Sequence, residues 1–214
     1  MRKAEELILP DIIKDNLTWF GRFNKRTVDV VGSVMCLIVF SPLFLLCYIL
    51  IKKDDHGNAV FSQTRIGRHG KPFEIYKFRT MTPNAEASGV PQLFNQSGDP
   101  RLTKAGRFLR AHHLDELPQL WNVLKGDMSF IGYRPERQFF IDQIMEKDAR
   151  YKKLYQIRPG VTSYATLYNG YTDTIEKMLI RLHYDLYYVC HRSFIFDCKV
   201  LWRTFWSIVS GKEF

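Results

Sequence analysis

The run from Val30 to Ile51 holds 22 residues without a charge and limits the fold more than any other stretch of the chain. A straight helix of that length reaches across the hydrocarbon core of a bilayer, about 30 Å. Ser41 and Pro42 interrupt it near the middle. Proline there removes the hydrogen bond to the Ile38 carbonyl and presses on it, so a kink or break is expected, and the Ser41 hydroxyl is placed to satisfy a freed carbonyl one turn back. Each half is then about 11 residues, roughly 17 Å, which is half a bilayer.

Arg22, Lys25 and Arg26 precede the run, and Lys52 and Lys53 follow it. The positive-inside rule draws both ends to the cytoplasm, which a helix that turns back can satisfy and a spanning one cannot. One kinked spanning helix is the alternative. Residues 1–23 set Leu7, Leu9, Ile12, Ile13, Leu17, Trp19, Phe20 and Phe23 among charges such as Lys3, Glu5, Asp11 and Lys14. This amphipathic segment suits a membrane surface or a core-packed helix, Pro10 limits any helix across it, and its early charges argue against a signal peptide. Near the C-terminus Trp202, Phe205, Trp206 and Val209 recur at i, i+3, i+4 and i+7, a stripe suited to a bilayer interface or to a core.

Candidate chemistry is densest from His112 to Pro135. Asp115 and Glu116 are adjacent carboxylates, Pro118 follows within one turn, and Leu117, Leu120, Trp121 and Leu124 form an apolar helical pattern up to Gly126. The pattern predicts a short helix capped by Asp115, with Pro118 in its first turn and Gly126 just past its end. The positive end of such a helix keeps acids ionised and favours a phosphate nearby. Two carboxylates still repel a phosphate; Mg²⁺ held by one or two carboxylates and the substrate's own phosphates removes that conflict. Asp-Glu-x-Pro alone describes an ordinary helix start equally well. Arg107, Arg110 and Arg134 around it, suited to bidentate phosphate contacts, favour chemistry.

The segments Leu114-Asp115-Glu116-Leu117-Pro118-Gln119-Leu120, Asn122-Val123-Leu124-Lys125-Gly126-Asp127-Met128-Ser129 and Gly132-x-Arg134-Pro135 together resemble the signature of the bacterial sugar transferases. These are small monotopic phosphoglycosyl transferases, which move a sugar phosphate from a nucleotide diphosphate sugar to polyprenyl phosphate. The resemblance runs from about Lys25 to the C-terminus. Lys25-Arg26-x-x-Asp29 and Ser41-Pro42 match the start and break of the family's re-entrant helix; Lys77-Phe78-Arg79-Thr80-Met81, Arg158-Pro159-Gly160-Val161-Thr162 and Tyr184-Asp185-Leu186-Tyr187-Tyr188 match further motifs.

The resemblance implies a UDP-sugar donor, a polyprenyl (undecaprenyl) phosphate acceptor, contact with membrane lipids and dependence on Mg²⁺. It assigns catalysis and metal binding to Asp115 and Glu116, with Asp115 as nucleophile, and substrate binding to Lys77, Arg110, Arg134, Pro135 and Arg158. It has Asp185 orient an arginine, an ordinary helix acid being the alternative. It places the chain on the cytoplasmic face of the bacterial inner membrane, at the first membrane step of a glycoconjugate or polysaccharide assembly. The expected architecture is an α+β monotopic membrane protein: an amphipathic segment over 1–23, a re-entrant helix over 24–53 broken at Ser41-Pro42, and a small cytosolic catalytic domain with interfacial helices over 54–214. Two departures bear on the sugar pocket. Tyr133 stands where a proline is usual, and Ser163-Tyr164-Ala165-Thr166 where a Gly and then a Gln are usual.

Elsewhere the residues speak for themselves. Ala59–Gln63 and Phe73–Phe78, separated by Gly67, Gly70 and Pro72, predict a β-hairpin. The Pro-, Gly-, Asn- and Ser-rich stretch 82–100 predicts a loop over the site, and Lys104–Arg110 a basic helix. His112 and His113 are adjacent and diverge on any regular backbone, so position-setting or surface roles are preferred for them. From Pro135 to Tyr155 a helix is expected with Phe139, Phe140, Ile144 and Met145 inward. Four cysteines without a C-x-x-C pair read as reduced thiols, and no repeat, G-x-G-x-x-G or Walker loop is present. The net charge of +9 calls for an anionic partner. A basic, membrane-attached scaffold for nucleic acid or acidic lipid satisfies the charge but leaves the acid pair idle, and a lipid-phosphate hydrolase needs water in place of an acceptor lipid. The transferase reading, without nucleic acid and with homo-oligomerisation left open, accounts for both.

Overall fold

The computed structural model describes residues 6–55, 57–83, 85, 89, 91–94, 98–170 and 172–210. The charge-free run lies in helices α1 (Trp19–Val39) and α2 (Ser41–Asp55), bent by 61° at their junction. Pro42 sits in the first turn of α2, where its missing N–H falls among groups that have no helical partner. The Ser41 hydroxyl donates to the Ile38 carbonyl at 2.8 Å, the back-bond expected from sequence. Among the described residues no single helix is long and apolar enough to cross a membrane; α1 and α2 meet that measure only as a bent pair.

Both ends of the pair return to one globular body. In α1, Lys25 pairs with Asp197 at 2.6 Å, Arg26 donates to the Val123 and Leu124 carbonyls at 2.6 and 2.8 Å, and buried Asp29 accepts from the Ser129 hydroxyl and the Phe130 N–H. In α2, Cys47 and Ile51 are buried with Phe78 and Leu109. The Asp54 carboxylate then accepts from the Ala105 N–H, in the first turn of α3 (Lys104–Ala111). Between these anchors Val31, Met35, Ile38, Val39, Leu45 and Leu46 are exposed, an apolar surface that the body leaves uncovered.

The architecture is α+β. Strands β1 (Val60–Ile66) and β2 (Pro72–Phe78) form the expected antiparallel hairpin, with Phe61 opposite Lys77, and its turn uses left-handed His69 and Gly70. Two short strands, β3 (Ser129–Ile131) and β4 (Gly160–Thr162), pair in parallel. Their close approach demands glycine: a Cβ on Gly160 would lie 2.1 Å from the Gly132 nitrogen. Around the sheets pack α4 (Gln119–Lys125), α5 (Gln138–Lys147), α6 (Thr166–Asn169), α7 (Ile175–His191) and α8 (Phe194–Val209). The main core joins Ile131, Ile141, Ile144, Leu154, Leu182 and Leu186.

Several expectations are corrected, and one alternative is decided. Residues 6–18 form no amphipathic helix; they run irregularly over the body, burying Leu7 and Ile13, and the first helix begins at Trp19 behind the Thr18 cap. The helix after Pro135 stops at Lys147, because Asp148 turns extended and accepts the Arg150 N–H, and Ala149–Gln156 continues as a 3₁₀ segment. Phe139 faces outward at 43% exposure, while Phe140 and Ile144 are buried. Asp115 does not cap α4. The tryptophan-bearing stripe of α8 is not core-facing: Trp202, Phe205 and Trp206 are more than half exposed. Part of the loop expected over 82–100, namely 84, 86–88, 90 and 95–97, lies outside the described residues.

Candidate active site

The acid pair is built by a change of helix type. After α3 the chain turns through His113 in the left-handed region, φ 55°, and Leu114–Glu116 form a single 3₁₀ turn before Pro118 opens α4. Residues i and i+3 eclipse in a 3₁₀ turn, and here Leu114 and Leu117 both pack on the Cys47–Ile51–Phe78–Leu109 cluster. That packing, which the 3.6-residue pattern did not anticipate, takes Asp115 out of the α4 cap position. Gly126 does end α4 left-handed, at φ 97°, as its sequence position predicted.

The two carboxylates open on different cavities. Asp115 lines a polar cleft of about 330 Å³ together with Lys77, Arg110 and Arg134, floored by the face of the hairpin that carries Phe61, Gln63 and Arg65. Glu116 lines a neighbouring cavity of about 200 Å³ with Leu117, Leu120, Val161 and, from α8, Thr204 and Ile208. Arg134, Thr172 and Arg181 belong to both walls. The acids therefore stand at the partition between a basic cleft and a largely apolar one.

Charge distinguishes the pair. Glu116 Oε1 accepts from Lys77 Nζ at 2.7 Å and from Arg134 Nη2 at 3.1 Å. Burial acts to raise the Glu116 pKa, but Lys77 and Arg134 outweigh it and hold the carboxyl well below the ordinary range. Asp115 has no hydrogen-bond partner among the described residues, and burial raises its pKa; Lys77, Arg110 and Arg134 offset this only in part, and ionised Glu116 adds to the rise. Lys77 is itself depressed, by burial first, with Glu116 opposing. Glu116 is thus a fixed anion that anchors two cations, and Asp115 is the unengaged, more basic oxygen donor.

Most of the residues singled out from sequence meet here, but Arg158 does not. Its Nε donates to the Gly126 carbonyl at 2.8 Å, and it lines a separate basic cleft beside α1. The Arg110 guanidinium lies 3.5 Å from the Phe94 ring centroid. Pro135 is buried and lines neither cavity; its carbonyl accepts from Arg65 at 3.2 Å. Asp185 does position an arginine, through the main chain: it accepts the Arg134 N–H. The histidines act locally, His112 against Phe108 and His113 as the left-handed residue before the acids. Tyr133, one departure from the family pattern, lies fully buried in the core and lines neither cavity. Thr166, the end of the other, lines the apolar cavity.

Three residues escaped the sequence reading. Glu136 is buried between Arg65, at 3.3 Å, and Arg181, and both arginines line the polar cleft. The alternation Phe61-x-Gln63-x-Arg65 was the available signal; it becomes informative only once the register sets Phe61 opposite Lys77.

Comparison with known proteins places this geometry. The family model for bacterial sugar transferases matches residues 20–211. The chain belongs to the bacterial sugar transferase family. It is 42% identical over 189 residues to a UDP-glucose:undecaprenyl-phosphate glucose-1-phosphate transferase of Caulobacter vibrioides, covering 87% of this chain and 70% of that one. It is 39% identical over 189 residues to a UDP-N-acetylgalactosamine-undecaprenyl-phosphate N-acetylgalactosaminephosphotransferase of Aeromonas hydrophila, covering 88% and 44%. An exopolysaccharide production protein of Rhizobium leguminosarum bv. phaseoli is 37% identical over 201 residues, covering 89% and 98%. The sugar transferase chain thus spans less than half of the Aeromonas relative and nearly all of the Rhizobium one.

The carboxylates present are of the kind that a Mg²⁺ shared with substrate phosphates would use. Among the described residues no three His, Cys, Asp or Glu side chains converge on one point. Asp115, and Glu116 through the oxygen not held by Lys77 and Arg134, would supply the one or two carboxylates from which this ion is ordinarily held beside substrate phosphates.

Proposed function

We propose that this chain transfers a sugar 1-phosphate from a UDP-sugar to a polyprenyl phosphate such as undecaprenyl phosphate. The observation that carries the reading is the partition: neighbouring carboxylates, one opening on a basic cleft and the other on an apolar cavity walled by α8. The basic cleft suits a nucleotide diphosphate and the apolar cavity the head of a lipid phosphate. The named relatives in Caulobacter and Aeromonas, which act on UDP-sugars and undecaprenyl phosphate, support the same substrate class.

In this reading Lys77, Arg110 and Arg134 hold the diphosphate, and a Mg²⁺ bound by Asp115 and Glu116 would neutralise part of its charge. An Asp115 oxygen attacks the sugar-bearing phosphorus; the bond from that phosphorus to the bridging oxygen breaks, and UMP leaves with the electron pair. A phosphate oxygen of the lipid then attacks the acyl phosphate from the apolar side, forming the diphosphate and returning Asp115 as carboxylate. The raised basicity of Asp115 favours the first step, and Glu116 keeps Lys77 and Arg134 in place without competing for phosphorus. Covalent transfer lets a soluble donor and a membrane-held acceptor use the site in turn.

The bent α1–α2 pair acts as a re-entrant anchor on the cytoplasmic face of the bacterial inner membrane. This is supported by its two ends docking on one body and by the exposed Trp202, Phe205 and Trp206 of α8. The test is a panel of UDP-sugars with purified enzyme and undecaprenyl phosphate. UMP and a lipid-linked sugar phosphate are expected together from one donor; sugar phosphate released to water without acceptor would instead indicate a hydrolase, and no product from any donor would sink the assignment.

A further inference from the structure

Beside the start of α1, on residues separate from both catalytic cavities, lies a small cleft of about 40 Å³ to which Arg22, Lys25, Arg26, Arg68, Arg158 and Arg192 all contribute. Among the described residues, three carboxylates stand among these six cations. Asp15 is shared by Arg22 and Arg192, Asp197 takes Lys25, and Asp29 is engaged by Ser129 and the Phe130 N–H. Arg26 and Arg158 spend donors on the carbonyls of Val123, Leu124 and Gly126, at the C-terminal end of α4. Arg68 has no side-chain hydrogen bond among the described residues, and its Nε is buried. Burying a guanidinium donor without a partner is unfavourable, so an anion is the missing complement. The charge excess is felt locally: burial and then the neighbouring Arg68 and Arg26 lower the Arg158 pKa.

We propose that this cleft binds a phosphate oxyanion carried by a membrane phospholipid. The volume admits a few waters or the oxygens of one phosphate, and the arginine forks match that geometry. Its depth favours the lipid over free phosphate. Exposed apolar residues of α1 resume at Val28 and Val31, and Arg26 precedes Val31 by about 7.5 Å of helix, close to the thickness of one headgroup layer. A headgroup seated here would fix the height of α1 against the bilayer, independently of the chemistry between the two cavities.

Arg68→Gln tests this, because Arg68 holds no structural hydrogen bond and touches neither cavity. In one arm, the full chain in micelles containing phosphatidylglycerol is examined by native mass spectrometry; wild type should retain a one-to-one lipid adduct that the variant loses several-fold and Arg68→Lys largely regains. In the other, inorganic phosphate is titrated in lipid-free detergent while the melting temperature is followed. Stabilisation of wild type alone, with equal lipid adducts in both proteins, would assign the site to free phosphate and overturn the lipid reading. Equal adducts and equal phosphate responses in wild type and Arg68→Gln would overturn the site altogether. Should Arg68→Gln fail to fold, Arg68→Met, which keeps the apolar stem, replaces it. UMP release from donor, followed in parallel, should be unchanged in Arg68→Gln, so failure of the transferase assignment would be visible separately.

Discussion

Adjacent carboxyl groups in one buried site titrate apart when their surroundings differ, and this separates the work of Asp115 from that of Glu116. Lys77 and Arg134 converge on Glu116, so its proton is lost well below the ordinary range, whereas buried Asp115 keeps its proton to higher pH. Two consequences follow for activity. Asp115→Asn preserves shape and removes the charge; it should abolish turnover, and enzyme quenched after donor alone should carry a sugar-phosphate adduct on Asp115 by mass spectrometry in wild type only. Absence of adduct and of UMP without acceptor would instead indicate direct transfer. Because the Asp115 pKa is raised, its ionised form declines on acidification at a pH above that of an ordinary aspartate, and donor-only UMP release should fall in step. Arg134 makes the second case. Its Nη2 binds Glu116 while the guanidinium borders both cavities, so Arg134→Lys keeps a charge but loses the fork, and turnover should fall by roughly tenfold or more. Full activity in Arg134→Lys would remove it from the phosphate clamp.

At the level of elements, sequence pattern reported what is local and missed what depends on register or on a change of helix type. The charge-free run, its break, the hairpin and the Gly126 helix end were legible because Pro42, the alternation of β1 and β2 and a single glycine each act through their own backbone. The acid-bearing 3₁₀ turn was not, since the pull of Leu114 and Leu117 onto Cys47 and Ile51 is tertiary. Glu136 and Arg181 were silent because a buried ion pair between α7 and the segment after β3 leaves no periodicity. Arg158 was misplaced because a motif match gives identity without direction; its guanidinium turns to Gly126 and the α1 cleft. The Lys25-Arg26-x-x-Asp29 motif is resolved as a docking device, each residue tying α1 to the body. Topology can be read from these elements: single cysteines introduced as Arg22→Cys and Lys53→Cys in a cysteine-free chain should both be labelled from the cytoplasmic side. Pro42→Ala restores the donor to Ile38 and should straighten the pair, shifting some molecules to a spanning orientation; opposite-side labelling in the parent chain would defeat the re-entrant anchor.

Across the whole molecule, catalytic geometry and folding stability meet at Asp185. This residue lies buried in α7, accepts the Arg134 N–H, and leaves Oδ1 without a hydrogen-bond partner among the described residues. It is faced by Arg181, by Glu136 and by buried Tyr133. Burial raises its pKa from 3.8 to about 8, against the opposing pull of Arg181 and the Arg134 N–H. A carboxyl that holds its proton more tightly folded than unfolded stabilises the fold most below the unfolded pKa. That contribution falls as pH rises from about 4 and is gone above about 8, with a limiting slope near 1.4 kcal/mol per pH unit. Asp185→Asn has no such titration and its amide oxygen can still accept from Arg134. Urea melts of the two proteins should therefore diverge steadily: the variant gains on wild type with each step from about pH 5 to about pH 8, and the difference levels off beyond, whereas other ionisable groups are common to both. Parallel stability curves across that window would mean that Asp185 is ionised in the folded protein, paired to Arg181, and that the segment carrying Arg134 is held by an ion pair in place of a neutral carboxyl.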